Sequence, residues 1–383
     1  MTAESMDDFG RETNMITNTL NTISRLTTCM TLVLLFGCSA PQKVEKPIIP
    51  FPKPPDEARF YFQDLIYTSA DIIPEDEDAR MSRVLAGAAR TGEGFMKPYD
   101  VSAHKGRIFV SDTNKRQIYL IDRREGKFTT FPEEGPFAFK KPMGLDNDGQ
   151  GNLYVIDTVK ESIAIFDRDG VFLREIAKPD SFHRATGIAV NSEGTRAYVV
   201  NTGGVDSEEH NIKVIDLNSG ELLYTIGKRG TAEGQFNLPK DVAIGQNGRL
   251  YVVDSGNFRV SILEPDGTHV KSFGELGVEF GRFARPKGIA LDPDNNIYVM
   301  DSNFGNFQIF NQEGQLLMFI GERGGVNVSA SYMLPAGIEV DEDGRVYVVD
   351  QFFRKVEVYR PASVAEYEGY FADPSLAPEK KAN

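Results

Sequence analysis

The chain has 383 residues, with 42 Lys and Arg against 56 Asp and Glu and a net charge of −14. Nucleic-acid binding rests on Lys and Arg neutralising phosphates, so this balance argues against nucleic acid as a partner. The only two cysteines are Cys29 and Cys38, which leaves the rest of the chain without a disulfide, a cysteine nucleophile or a thiolate metal site.

The first fourteen residues carry Glu4, Asp7, Asp8 and Glu12, which suit no export signal, and translation from Met15 would leave Arg25 as the only charge before an apolar run. That run, Met30 to Phe36, is too short to span a bilayer and fits the core of a signal peptide. With Leu35-Phe36-Gly37-Cys38 it resembles a bacterial lipobox, in which cleavage precedes the cysteine and its thiol carries lipid. Residues 1–38 are therefore expected to be a leader, Cys38 the lipidation site, and the product an exported, lipid-anchored envelope protein. Ser39 resembles a signal for the outer membrane. A Pro-rich stretch over 39–56 reads as an extended tether.

From about residue 57 the pattern changes to short strands. Arg59 to Ile66 is one, and six near-copies of a phrase follow. They are Arg107-Ile-Phe-Val-Ser-Asp112, Leu153-Tyr-Val-Ile-Asp157, Ala197-Tyr-Val-Val-Asn201, Leu250-Tyr-Val-Val-Asp254, Ile297-Tyr-Val-Met-Asp301 and Val346-Tyr-Val-Val-Asp350, spaced by 44 to 53 residues. Repeats of this length made of strands and Gly-containing turns predict an all-β propeller with one four-stranded blade per repeat, here six. The sixth repeat stops after its third strand, so the strand at Arg59–Ile66 is expected to complete that blade and close the ring. The propeller is assigned to 57–361, and 362–383 reads as a loosely structured tail.

Repeat five shows the pattern most clearly: Phe283-Ala-Arg-Pro286, Gly288-Ile-Ala-Leu291, a turn at Asp292–Asn296, then Ile297-Tyr-Val-Met-Asp301-Ser302. This arrangement, recurring from Phe95 to Tyr359, resembles the NHL-repeat family of six-bladed propellers. The resemblance implies the fold. It leaves function open, since one scaffold carries many activities. Calcium-dependent lactonases and zinc-dependent amidating lyases are built on related blades. The lyases need several axial histidines, and the four here fall at unrelated repeat positions.

The Asp that closes five of the six phrases, with Asn201 in the third, is followed in repeats one to five by Thr113, Thr158, Thr202, Ser255 or Ser302 and suits a turn whose side-chain oxygen accepts backbone N–H groups. The innermost strands converge on the axis, where small residues are expected. Asp100, Asp146, Asp241 and Glu339 break that rule, and together they form a candidate Ca²⁺ site that a hydrolase or lactonase could use. The position before the proline of each repeat holds Lys97, Lys141, Arg184 and Arg285, with Lys240 and Lys287 just after it. These six predict a cationic rim around one mouth of the channel, joined by Arg116, Lys160, Arg259 and Arg354 from nearby turns. The opposite face collects acidic hairpins such as Asp341–Asp343. In repeat three, the loop 203–211 and His183 place His183, His210, Glu208 and Glu209 as a weaker metal candidate.

The expectation is an envelope lipoprotein whose propeller is a non-catalytic platform for an envelope protein or an anionic glycan, with no resident cofactor. The alternative is a divalent-metal hydrolase using the acidic channel.

Overall fold

The computed structural model describes residues 48–132, 137–177 and 182–372. The expected leader, Cys38 and the first part of the tether lie outside the described residues. Residues 49–372 form a six-bladed β-propeller. Blade one contains Pro98–His104, Arg107–Asp112, Gln117–Asp122 and Lys127–Phe131 in antiparallel order. Blades two to five repeat that order, with innermost strands Pro142–Asn147, Ala185–Val190, Pro239–Ile244 and Pro286–Leu291. Blade six takes its inner three strands, Pro335–Val340, Val346–Asp350 and Lys355–Pro361, from the end of the chain. Phe60–Ile66 supplies the fourth, with Phe60 opposite Pro361 and Ile66 opposite Val356. The ring closes as expected from the chain ends.

The recurring phrase forms the second strand of each blade because every one of its side chains has a neighbour. All five residues of Leu250–Asp254 are buried, since blades cover both faces of the strand. The ring of the Phe-x-x-Pro pattern plugs the gap between strands. Phe283 is fully buried, and a Cβ on Gly274 would lie 2.4 Å from it, so glycine ends the preceding outer strand. Apolar clusters fill each space between neighbouring blades. The one joining blades six and one contains Phe95, Tyr119, Tyr347 and Phe371.

Each terminal segment differs from its expected form. Pro50–Phe51, read as part of the tether, is a fifth strand on the outer edge of blade six. Phe51 packs edge-on against Tyr359 at 5.6 Å, and this buried ring outweighs the extended preference of the surrounding prolines. Residues 362–372, read as loose, cross the bottom of the ring closure. Phe371 is buried against Tyr347, and the Tyr370 N–H donates to Asp343 Oδ2 at 2.6 Å. Arg345, fully buried, donates to Gln63 Oε1 and Asp343 Oδ2 at 3.0 Å each and to the Glu368 carbonyl. One guanidinium thus ties the closing strand, blade six and the C-terminal segment together.

The chain reverses on two faces. The links from the second to the third strand and from one blade to the next lie on a crossover face. The hairpins between first and second strands lie on the other, the hairpin face.

Candidate functional site

The turn aspartates have a structural role. Asp157 accepts from the N–H groups of Lys140, Lys141, Val159 and Lys160 at 2.6 to 3.2 Å, binding the crossover before the blade to the turn within it. Asp112, Asp301 and Asp350 each accept from four equivalent N–H groups. With their oxygens so engaged, these carboxylates are unavailable for chemistry.

The axis carries the unrepeated residues. On the hairpin face it opens as a funnel of about 690 Å³, a volume suited to a small organic ligand. Its wall alternates apolar residues such as Val101, Leu145 and Ile289 with the four predicted carboxylates. Those carboxylates stitch blades together. The Leu145 N–H of blade two donates to Asp100 Oδ2 at 3.1 Å, that of Val190 in blade three to Asp146 Oδ2 at 2.7 Å, and that of Ile289 in blade five to Asp241 Oδ2 at 3.1 Å. Glu339 accepts from its own neighbour Val340 at 2.9 Å. Glycines make room for two of them: a Cβ on Gly187 would lie 2.5 Å from Asp241 Oδ1, and one on Gly337 2.4 Å from Asp100 Oδ1.

Enclosure by the strands pushes Asp146 and Asp241 up to about 7, against hydrogen bonds from backbone N–H groups that favour the charged form. Asp100 and Glu339 are raised well above the usual carboxylate range, first by burial and then by the other channel carboxylates. The four groups therefore feel one another across the axis. Yet among the described residues no three His, Cys, Asp or Glu side chains gather as a metal ligand set.

The repeat-three candidates do not assemble either. His210 is buried with both ring nitrogens engaged, one with the Gly204 carbonyl at 2.9 Å and the other accepting from the Leu238 N–H at 3.2 Å. Glu208 pairs with Arg229 at 3.2 Å, and Glu209 bonds Asn211 at 2.8 Å and pairs with Lys213 at 3.3 Å.

At the crossover end the channel narrows to a neck of about 10 Å³ lined by Tyr99, Thr186, Lys240 and Lys287, with the carboxylates Asp100 and Asp241 in the same wall. Burial, then repulsion from Arg184, Lys287 and Arg285, pushes Lys240 down to about 8. Lys287 is likewise pushed down to about 8 by burial and by Arg285 and Lys97, with Asp350 opposing. Five of the six predicted rim cations thus converge. Lys141 stands at the equivalent place on blade two, exposed to solvent. Of the four added from the turns, two are structural. Arg259 binds Asp254 and three carbonyls, and Lys160 pairs with Glu175 at 2.9 Å over the ring of Phe137.

Sequence reading missed Tyr99 and Thr186. Thr186 donates to the Lys240 carbonyl at 2.7 Å and shares a hydrogen bond with Thr202 at 2.6 Å, fixing the start of the Lys240 strand. The available signal was that repeat three has Ala185-Thr186 where the other repeats have proline followed by another residue.

Two stretches of the chain, 236–263 and 283–310, match the NHL repeat. Peptidyl-glycine alpha-amidating monooxygenase B of Xenopus laevis is 26% identical over 175 residues, 42% of this chain. The chain spans 19% of the length of that relative. Among solved structures, a Bacteroides thetaiotaomicron protein of unknown function aligns with a TM-score of 0.57 at 16% identity, covering 78% of this chain and 76% of its own. A Xanthomonas campestris gluconolactonase aligns with a TM-score of 0.53 at 12% identity, covering 82% and 98%. A streptogramin B lyase aligns with a TM-score of 0.51 at 14% identity, covering 70% and 94%. At these identities the likeness to the solved structures is one of fold.

Proposed function

We propose that this propeller is a non-catalytic binding or assembly platform of the bacterial cell envelope, docking an anionic partner, an envelope protein or an anionic glycan, on its crossover face. In this reading the protein is exported and anchored through lipid on Cys38, in the outer membrane of a Gram-negative host. The observation that carries it is the set of rim cations that form no ion pair among the described residues, in a chain of net charge −14. Charge of one sign gathered around a mouth orients an oppositely charged partner and raises its association rate.

The test is capture of the protein on immobilised poly-L-glutamate. Reversal of Lys97, Lys141 and Arg285 to Glu is expected to abolish capture while leaving the melting temperature in place. Undiminished capture by the triple variant sinks the reading. The anchor is checked by the mass of the mature protein, which should lose its acyl chains in Cys38→Ser.

A metal-dependent hydrolase or lactonase acting in the funnel is the second reading, favoured by the cavity and its carboxylates Asp100, Asp146, Asp241 and Glu339. A ligand that binds the native state alone raises the melting temperature. A rise with Ca²⁺ after chelator treatment, abolished in Asp241→Asn, would promote this reading. No rise at millimolar Ca²⁺ leaves the platform.

A further inference from the structure

We propose that the crossover mouth is a seat for a terminal oxyanion, a phosphate or carboxylate group presented end-on, held between the ammonium groups of Lys240 and Lys287 and flanked by Arg184 and Arg285. This rests on the platform reading and names the chemical group that the face takes.

Elsewhere on the crossover face, cations near carboxylates are paired: Lys115 with Glu93 at 2.7 Å, Arg229 with Glu208 at 3.2 Å, Arg282 with Glu275 at 3.1 Å and Arg259 with Asp254 at 2.9 Å. Lys97, Arg184, Lys240 and Arg285 make no side-chain hydrogen bond or ion pair among the described residues. Lys287 Nζ reaches only the Pro335 carbonyl, at 3.5 Å. The nearest acids are held by backbone: Asp350, which opposes part of the loss at Lys287, accepts four N–H groups. Asp100 and Asp241 begin one residue further along the strands, and their oxygens accept from the N–H groups of Leu145, Ile289 and Val242. Blades one, three, four and five therefore bring positive charge to one place, and no ion pair among the described residues answers the desolvation of the two lysines.

Size limits how such a group can sit. The neck beneath the lysines offers about 10 Å³, room for one water-sized centre. A single oxygen fits there, and a whole phosphate or carboxylate does not. The group therefore rests outside the neck, whose inner wall carries Asp100 and Asp241, with its oxygens shared between the lysines and the guanidinium groups. Lysine as a point charge below and arginine as a planar fork around it match the two demands of such a group.

The experiment uses the full chain carrying Cys38→Ser, with inorganic phosphate as the small probe in calorimetry and poly-L-glutamate capture as the polymer probe. Phosphate is expected to bind with a dissociation constant on the order of millimolar. The double variant Lys240→Gln/Lys287→Gln removes both ammonium contacts and is expected to weaken phosphate by at least roughly tenfold. Arg116→Gln/Arg354→Gln, on the same face but off the axis, should change it less than about twofold. Should the lysine double variant melt early, Lys240→Arg/Lys287→Arg keeps the charge and is expected to retain binding. Phosphate affinity that survives loss of both lysines overturns the seat. So does absence of phosphate binding beside poly-L-glutamate capture that still depends on Lys97, Lys141 and Arg285, a result that leaves the platform standing. Failure of both probes removes both.

Discussion

At the crossover end of the axis, Lys240 and Lys287 stand against Arg184, Arg285 and Lys97, while one residue deeper on the same strands Asp100 and Asp241 face each other across the channel. Both sets are like-charged and both are partly withdrawn from water, so both are pushed towards neutrality. The difference lies in their partners. The carboxylates are received by backbone N–H groups of neighbouring blades, and glycines at 187 and 337 shape the space they fill. The lysines are received by nothing comparable. A charged group satisfied within the fold reads as architecture, and one left unsatisfied at an opening reads as recognition.

The strongest way to break this contrast is to make the mouth resemble the neck. Lys240→Glu/Lys287→Glu would set two new carboxylates beside Asp100 and Asp241 with no N–H donors to receive them. The expected cost is about 3–5 kcal/mol of unfolding free energy at pH 8, the scale for uncompensated buried charge, read by urea denaturation. An unaltered midpoint would mean that the mouth is more open to water than its lining residues indicate.

The next largest effect comes from pH. Asp146 and Asp241 are raised to about 7 in the folded protein, above their unfolded values. The native state thus holds protons that the unfolded chain releases. The stability they contribute is fully present below the unfolded carboxylate pKa and is lost as pH rises through about 7. Melting temperature should fall between pH 5 and 8, as the two groups together give up a few kcal/mol, about 1.4 kcal/mol per pH unit each below 7. Asp146→Asn/Asp241→Asn should flatten that fall. A profile as steep in the double variant as in the parent would place the responsible groups elsewhere.

How much of this was legible beforehand depends on how local each cause is. The second strands were plain, because five consecutive buried residues ending in a turn aspartate need only their own blade to explain them. Ring closure by Phe60–Ile66 followed from one missing strand. The channel acids and rim cations were visible as departures from a repeat, but their condition was not. That Asp241 is bonded to blade five and Lys240 to no acid depends on residues some fifty positions away. Pro50–Phe51 and the segment up to Ala372 were misread because proline and polar composition reports the preference of a free chain. The buried rings of Phe51 and Phe371, with Arg345 beneath the closure, override it.

A smaller effect sharpens the architectural half of the contrast. Gly337→Ala places a Cβ 2.4 Å from Asp100 Oδ1 and should cost about 1–3 kcal/mol, the range for overpacking. If the clash is with the carboxylate, Asp100→Ala in the same chain should recover part of that loss. The two substitutions should then be non-additive by more than the roughly 0.5 kcal/mol that separates coupled from independent sites. Additive costs would mean that the glycine serves the backbone of blade one, with Asp100 Cα at 2.7 Å and the Tyr99 carbonyl at 3.1 Å from the same Cβ, rather than the carboxylate.

The smallest effect concerns the recognition half and is set by screening. Exposed charges beyond about 10 Å are largely screened at 0.1 M salt, and partly buried ones much less so. Raising salt from about 0.05 to 0.5 M should therefore reduce poly-L-glutamate capture, which draws on the exposed Lys97, Lys141 and Arg285, more than it reduces phosphate binding between the half-buried Lys240 and Lys287. Equal salt slopes for the two probes would mean that both meet the same solvated surface. The two-tiered mouth, with an exposed ring outside and an enclosed pair inside, would then collapse into a single patch.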